Sequence, residues 1–200
     1  MREKILEKSK ELFLNLGFKS VTMDEIASAL GVSKKTIYKY FKNKTELIAA
    51  VTDFIFSSIS TGIDMICELK KDPIEEIFDI KRFVMYHLKD EKSSPQYQLQ
   101  KYYPKIYASL SKKQFDVMRG CVIKNLNHGV EEGLYRKNID VEFISRIYFN
   151  GMVSIKNKDL FPLDHYSMNT LMNYYLEYHL RGICTEKGVS KLEKQLEEKL

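Results

Sequence analysis

Between Thr22 and Lys44 the sequence sets lysines, hydroxyls and phenols at a spacing suited to binding a polyanion. Ile37 and Phe41 stand four residues apart, so on a helix they share one side and mark it as the buried one. Lys34, Lys35, Thr36, Lys39 and Tyr40 are left to face outward. Ammonium and hydroxyl groups on such a face donate to phosphate oxygens and to base-edge acceptors such as guanine O6 and N7. This is the chemistry of reading a duplex, with no bond made or broken.

Catalytic and metal-binding patterns are missing from the sequence. The four histidines, His87, His128, His165 and His179, are scattered, with neither a His-x3-His pair nor a Glu-x-x-His pair for a di-iron bundle. There is no phosphate-binding glycine loop and no Gly-x-Ser-x-Gly elbow. The reading is therefore a protein that is no enzyme and takes no cofactor and no metal. Cys67, Cys121 and Cys184 are odd in number and far apart, which fits neither a disulfide framework nor a zinc ribbon. Each lies in an apolar helical context, where a free cysteine behaves as a small hydrophobe.

The elements that must hold the lysine face are well punctuated. Residues 2–16 carry Ile5, Leu6, Leu12, Phe13 and Leu16 at helical spacing and stop at Gly17. Thr22 and Glu25 have capping-box spacing and open a short helix with Ile26, Ala27 and Leu30 turned inward. Gly31 breaks that helix, being able to take the positive φ that a tight turn requires. Ser33 caps a third helix expected over Lys34–Phe41. Two short helices about such a turn, the second with a basic outer face, describe a helix-turn-helix.

Beyond it, Asn43 to Glu46 has capping-box spacing and opens a long apolar helix to about Leu69. Asp72-Pro73 starts a helix to about Lys89, followed by a polar loop over Asp90–Ser94. Pro104 must kink or interrupt the Tyr-rich stretch that begins at Ser94-Pro95. Ser111 is expected to cap a helix to about Glu132, and further helices are expected from Asp140 and from Ser167. The segment 156–166 reads as a loop, and a short amphipathic helix is expected from Ser190. The fold class is all-α, an N-terminal three-helix helix-turn-helix domain and a C-terminal helical bundle, with about nine helices in total.

Charge supports the division. Residues 1–45 hold ten Lys/Arg against five acids, whereas the remaining 155 residues hold 22 of each sign. The excess of the whole chain, +5, thus sits at the N-terminal end, the footprint of a polyanion-binding head. No run approaches the ~18 consecutive apolar residues of a membrane span, and the charged start Met1 to Leu6 has no signal-peptide core. The expected location is cytoplasmic, with no membrane partner.

The run Gly17-Phe18, Thr22 to Ala27, Leu30 to Lys34, Thr36 to Lys44 and Leu47 resembles the DNA-binding domain of the TetR family of transcriptional regulators. Tyr40 departs from the pattern, since many members carry His before the Phe. The resemblance implies a domain over 1–46 that binds double-stranded DNA and a ligand-binding, dimerising domain over 47–200. It implies a homodimer on a palindromic operator, acting as a repressor that a small-molecule effector releases. Lys34, Lys35 and Thr36 match positions that touch bases or nearby phosphates. Thr22, Tyr38 and Tyr40 match phosphate contacts, and Lys44 matches a backbone clamp.

For the effector, the resemblance implies a pocket. Phe83, Tyr86, His87, Tyr102, Tyr103, Tyr107, Met118, Phe149 and Met152 are the aromatic, polar and thioether groups that would line it. Such a lining suits an apolar or aromatic ligand, although the same residues could simply fill a helical core. The helices 140–155 and 167–184 are apolar around much of their circumference, as expected of the dimer surface.

Overall fold

The structure is a computed structural model that describes residues 1–88, 95–157, 159–162 and 164–197, the side chains of 95 and 96 excepted. The loop expected over 90–94 lies outside the described residues. Among the described residues ten helices follow one another: α1 (Arg2–Leu16), α2 (Met23–Ala29), α3 (Lys34–Tyr38), α4 (Lys44–Glu68), α5 (Pro73–Leu88), α6 (Pro95–Tyr102), α7 (Pro104–Glu131), α8 (Val141–Ser154), α9 (Met168–Ile183) and α10 (Glu186–Glu197). Among the described residues there is no strand, only an isolated antiparallel bridge between Tyr135 and Cys184. The all-α expectation holds.

The helix ends follow the local chemistry of their caps. Thr22 Oγ1 accepts from Glu25 N at 3.2 Å while Thr22 N donates to Glu25 Oε2 at 2.6 Å, the reciprocal box that its spacing promised. Ser33 Oγ accepts from Thr36 N at 3.2 Å, and Asp140 and Ser167 cap α8 and α9 in the same way. Asn43 Oδ1 accepts from Glu46 N at 2.9 Å. The Glu46 carboxylate, however, reaches back to Lys42 N, one residue before the expected partner.

Three boundaries differ from expectation. The third helix ends at Tyr38, because Tyr40 N and Phe41 N both donate to the Ile37 carbonyl and turn the chain out of the helix. Helix α7 starts at Pro104 and runs through Ser111 without a break. Pro104 is well placed at a first helical position, where its missing N–H costs nothing. The C-terminal helix begins at Glu186, before Ser190, and buries Leu192 completely.

Packing divides the chain into two compact units, residues 1–61 with 87–114 and residues 62–86 with 115–200. The segment 1–46 lies wholly within the first. In that unit Ile5, Phe13, Ile26, Ile37, Phe41, Leu47 and Ile48 form a core closed by Leu99 of α6. The second unit packs Ile74, Phe78, Leu126, Tyr135, Leu176 and Leu180 together with Leu192. Its centre also holds a polar chain. Asn125 Nδ2 donates to Glu76 Oε1 at 2.8 Å and to the Pro73 carbonyl at 2.9 Å, and Tyr135 donates to Asn125 Oδ1 at 3.1 Å. Each of these buried groups is satisfied, as interior polar atoms must be.

By length and composition α4 could cross a membrane. Leu47, Ile48 and Val51, in its N-terminal part, are fully buried in the first core.

Candidate nucleic-acid interface

Helix α2 packs on α1 and on α3, so the first unit presents α3 from a fixed base. The turn between α2 and α3 depends on Gly31, whose φ is +65° with open space around its α-carbon. Glycine is required there by backbone conformation and not by crowding. Ile37 and Phe41 are fully buried, as their spacing implied, and the Arg2 guanidinium lies over the Phe41 ring at 5.4 Å.

The opposite face is exposed and cationic. Lys35, Tyr38, Lys39 and Tyr40 all stand in solvent. Among the described residues no ion pair holds Lys35 or Lys39. Lys34 is also exposed, but its ammonium donates to Asp24 Oδ2 on α2 at 2.7 Å. That hydrogen bond raises the lysine's pKa above its ordinary value, so Lys34 carries its charge throughout the neutral range. The pair is exposed on both sides and therefore weak.

Two hydroxyls are already engaged. Thr36 Oγ1 is paired with Ser33 Oγ at 2.9 Å, and Thr22 Oγ1 donates to Glu25 Oε2 at 3.0 Å. Lys44 behaves differently from the other lysines. Its half-buried ammonium donates to the Lys19 carbonyl at 3.0 Å, and burial lowers its pKa. It ties the start of α4 to the α1–α2 connection. Lys39 and Tyr40 follow α3 in the turn, so the surface combines a five-residue helix with the segment beyond it.

One group of supporting residues was not foreseen. Gln98 Oε1 accepts from Lys19 N at 3.0 Å, and its side chain lies against Gly17, whose φ is +88°. With Leu99 buried in the same core, α6 braces the connection that leads into α2. The only sequence signal was the four-residue spacing of Leu99 and Tyr103.

The residues expected to line an effector pocket fall in both units. In the first, Tyr103 and Tyr107 pack against the core, Tyr102 is exposed with Lys19 over its ring at 4.8 Å, and His87 is half-buried. In the second, Phe115 and Phe149 meet edge to face at 5.1 Å. Met118 and Met152 pack on the core, Phe83 lies against Gly62, and Tyr86 is exposed. Further along, α8 and α9 pack together, with the Tyr175 hydroxyl donating to the carbonyls of Ile147 and Tyr148 at 3.1 and 3.0 Å. Phe143 and Ile147 on α8, and Tyr174 and Tyr178 on α9, stay exposed at four-residue spacing, Phe143 at 59% and Tyr178 at 78%.

The family model for bacterial regulatory proteins of the tetR family matches residues 5–51, the span that holds α1 to α3 and the start of α4. The chain is similar to the HTH-type transcriptional regulator YerO of Bacillus subtilis, with 26% identity over 76% of this chain and 56% of that protein. It is 36% identical to the HTH-type transcriptional activator FasR of Mycolicibacterium smegmatis over 31% of this chain and 28% of that one. The matches thus span about half the length of the first relative and about a quarter of the second. In fold it is similar to SmeT, the repressor of the Stenotrophomonas maltophilia multidrug efflux pump SmeDEF. The TM-score is 0.65 and the identity 17%, over 93% of this chain and 91% of that one. These proteins are described as a transcriptional regulator, an activator and a repressor. Residues 5–51 thus match the family model of tetR-family bacterial regulatory proteins, and the helical fold of the chain is similar to that of SmeT.

Proposed function

We propose that the chain is a DNA-binding transcriptional repressor that works in the cytoplasm as a homodimer. It holds a palindromic operator and is released by an apolar or aromatic small molecule. One observation carries the reading. The face of α3 and its following turn that leaves Ile37 and Phe41 in the core exposes Lys34, Lys35, Tyr38, Lys39 and Tyr40 together. Thr22 and Thr36 sit at the N-termini of α2 and α3, where backbone N–H groups favour phosphate. Lys44 acts as a clamp that fixes the start of α4 near the phosphate backbone.

In this proposal residues 1–46 read DNA and residues 47–200 bind ligand and dimerise. Helices α8 and α9 supply the dimer surface, supported by the exposed stripe of Phe143, Ile147, Tyr174 and Tyr178. An aromatic stripe of this kind is costly to leave in water and suits burial against a second copy. Phe83, Tyr86, His87, Tyr102, Tyr103, Tyr107, Met118, Phe149 and Met152 remain the proposed effector-lining set. A ligand there shifts DNA occupancy only by the difference in its affinity for the two dimer geometries. The repressor sense follows SmeT, whereas FasR is an activator.

Selection of bound sequences from random duplex DNA tests the proposal. The expected product is an inverted repeat whose half-sites lie on one face of the duplex, as two symmetry-related recognition helices require. Enrichment of no sequence, or of a single unrepeated half-site, would contradict it. Loss of the gene should raise transcription from the selected site; a fall would assign activation instead.

A further inference from the structure

Helix α6 and the α1–α2 connection, both in the first unit, gather two lysines on one ring. The Lys19 ammonium lies 4.8 Å from the centroid of the Tyr102 ring, and the Lys101 ammonium lies over the same ring at 5.6 Å. Lys101 also stands 5.6 Å from the centroid of Tyr97 and donates to the Tyr97 hydroxyl at 3.4 Å. All four side chains are exposed, and among the described residues no ion pair holds Lys19 or Lys101. The backbone beneath them is tied down. Gln98 Oε1 accepts from Lys19 N, and Leu99 is buried in the core of the first unit, which joins α6 to the connection.

We propose that Lys19 and Lys101, set on the Tyr102 ring, bind the phosphate backbone of the operator outside the half-site read by α3, so that α6 contacts DNA directly. The inference rests on the DNA-binding reading and adds to its interface a part of the chain beyond residues 1–46.

Like charges brought onto one ring repel each other, and an exposed ammonium–ring contact is a weak attraction. A site that gathers two ammoniums with no carboxylate partner is completed by an anion. Its neighbours indicate which anion. Lys19 stands three residues before Thr22, and its carbonyl accepts from Lys44 Nζ at 3.0 Å. Thr22 and Lys44 are the proposed phosphate contacts at this edge of the head, and the lysine pair on Tyr102 adjoins them. A row of ammoniums from Lys44 to Lys101 suits successive phosphates of one strand better than a single small anion. The Glu25 carboxylate, whose charge acts on Lys44, is taken up by Thr22 N and Oγ1. The tyrosine rings orient the ammoniums without neutralising them, whereas a carboxylate would compete with phosphate. Contacts of this kind carry no base information; they lengthen the footprint and add affinity. Tyr102 also stands in the proposed effector-lining set, so the test leaves it unaltered.

The experiment uses the full chain and the duplex selected from random DNA, made with and without about one helical turn, ~10 base pairs, beyond each end of the repeat. Hydroxyl-radical footprinting of the longer duplex should show backbone protection outside the repeat. Lys101→Gln should lose that outer protection alone, with its helicity unchanged. Its slope of log affinity against log salt should be shallower by about 2 for the dimer, one phosphate per subunit. Lys101→Arg, which keeps the charge, should restore both. Trimmed to the repeat, the duplex should bind the unaltered chain and Lys101→Gln alike. A backbone left unprotected beyond the repeat would overturn the inference while leaving operator binding by α3 intact. So would a Lys101→Gln variant whose slope and footprint on the longer duplex equal those of the unaltered chain. A chain that binds no duplex would overturn the inference together with the reading it rests on.

Discussion

Leu99→Ala tests whether α6 belongs to the core of the DNA-reading unit. Leu99 is only 3% exposed and lies in the same cluster as Phe13, Phe18, Ile37 and Leu47, residues far from it in sequence. Truncating it removes the branched end of the side chain from a site with no solvent to refill it. A buried Leu→Ala change costs about 2–5 kcal/mol, the spread reflecting how far the neighbours collapse. Here the partly buried groups of the same core nearest in sequence are Tyr103, between α6 and α7, and Ile106 on α7, and how far they follow the gap sets the value within that range. Against a total stability of ~5–15 kcal/mol the loss is large. Urea unfolding gives the total, and amide exchange locates it, because protection should drop in α1, α2 and the first turns of α4. Leu160→Ala, at a leucine 65% exposed, is the matched control and should stay within about 0.5 kcal/mol. A Leu99→Ala loss no larger than that control, or one that spares α1 and α2, would refute the reasoning.

Other expectations follow from single features. Gly31→Val should destabilise the first unit by about 1 kcal/mol or more, through its positive φ alone, since nothing crowds the position; thermal unfolding of the variant measures it. Burial beside Tyr148 and Tyr175 lowers the His179 pKa to about 4. The folded state thus binds the proton less well than the unfolded chain, whose histidine titrates near 6.5. His179's contribution is complete above that value and is lost as pH falls towards 4, at up to about 1.4 kcal/mol per pH unit. Urea midpoints across that window should flatten in His179→Gln. Phe143→Glu combined with Tyr178→Glu should yield a monomer by sedimentation with its helicity retained, whereas a variant that stays dimeric would place the dimer surface elsewhere.

The reading head was legible because its signals are local. Thr22 and Glu25, Gly31, Ser33 and the Ile37–Phe41 pair each act within one or two helical turns, and each does in the fold what its spacing implied. What escaped depended on distant partners. Nothing near Leu99 in sequence says that residues of α1, α2 and α4 supply the rest of its cluster. The Ser111 cap failed for a different reason. Its pattern is real, but Pro104 opens the helix about two turns earlier, and a serine inside a helix held by tertiary packing costs little. The end of the third helix was overrun because burial of Phe41 looks the same from a helix as from the turn that carries it.

The salt dependence of operator binding, for the unaltered chain and for Lys35→Ala, tests the central claim most directly. Lys35 is the better probe because Lys34 is paired with Asp24. With about five to six phosphates neutralised per subunit, log affinity against log salt should fall with a slope of about −10 for the dimer. Lys35→Ala should make the slope shallower by about 2, because each half-site then neutralises about one phosphate fewer, with the circular dichroism unchanged. A nearly flat slope for the unaltered chain, or an unchanged slope in a folded Lys35→Ala dimer, would contradict the account.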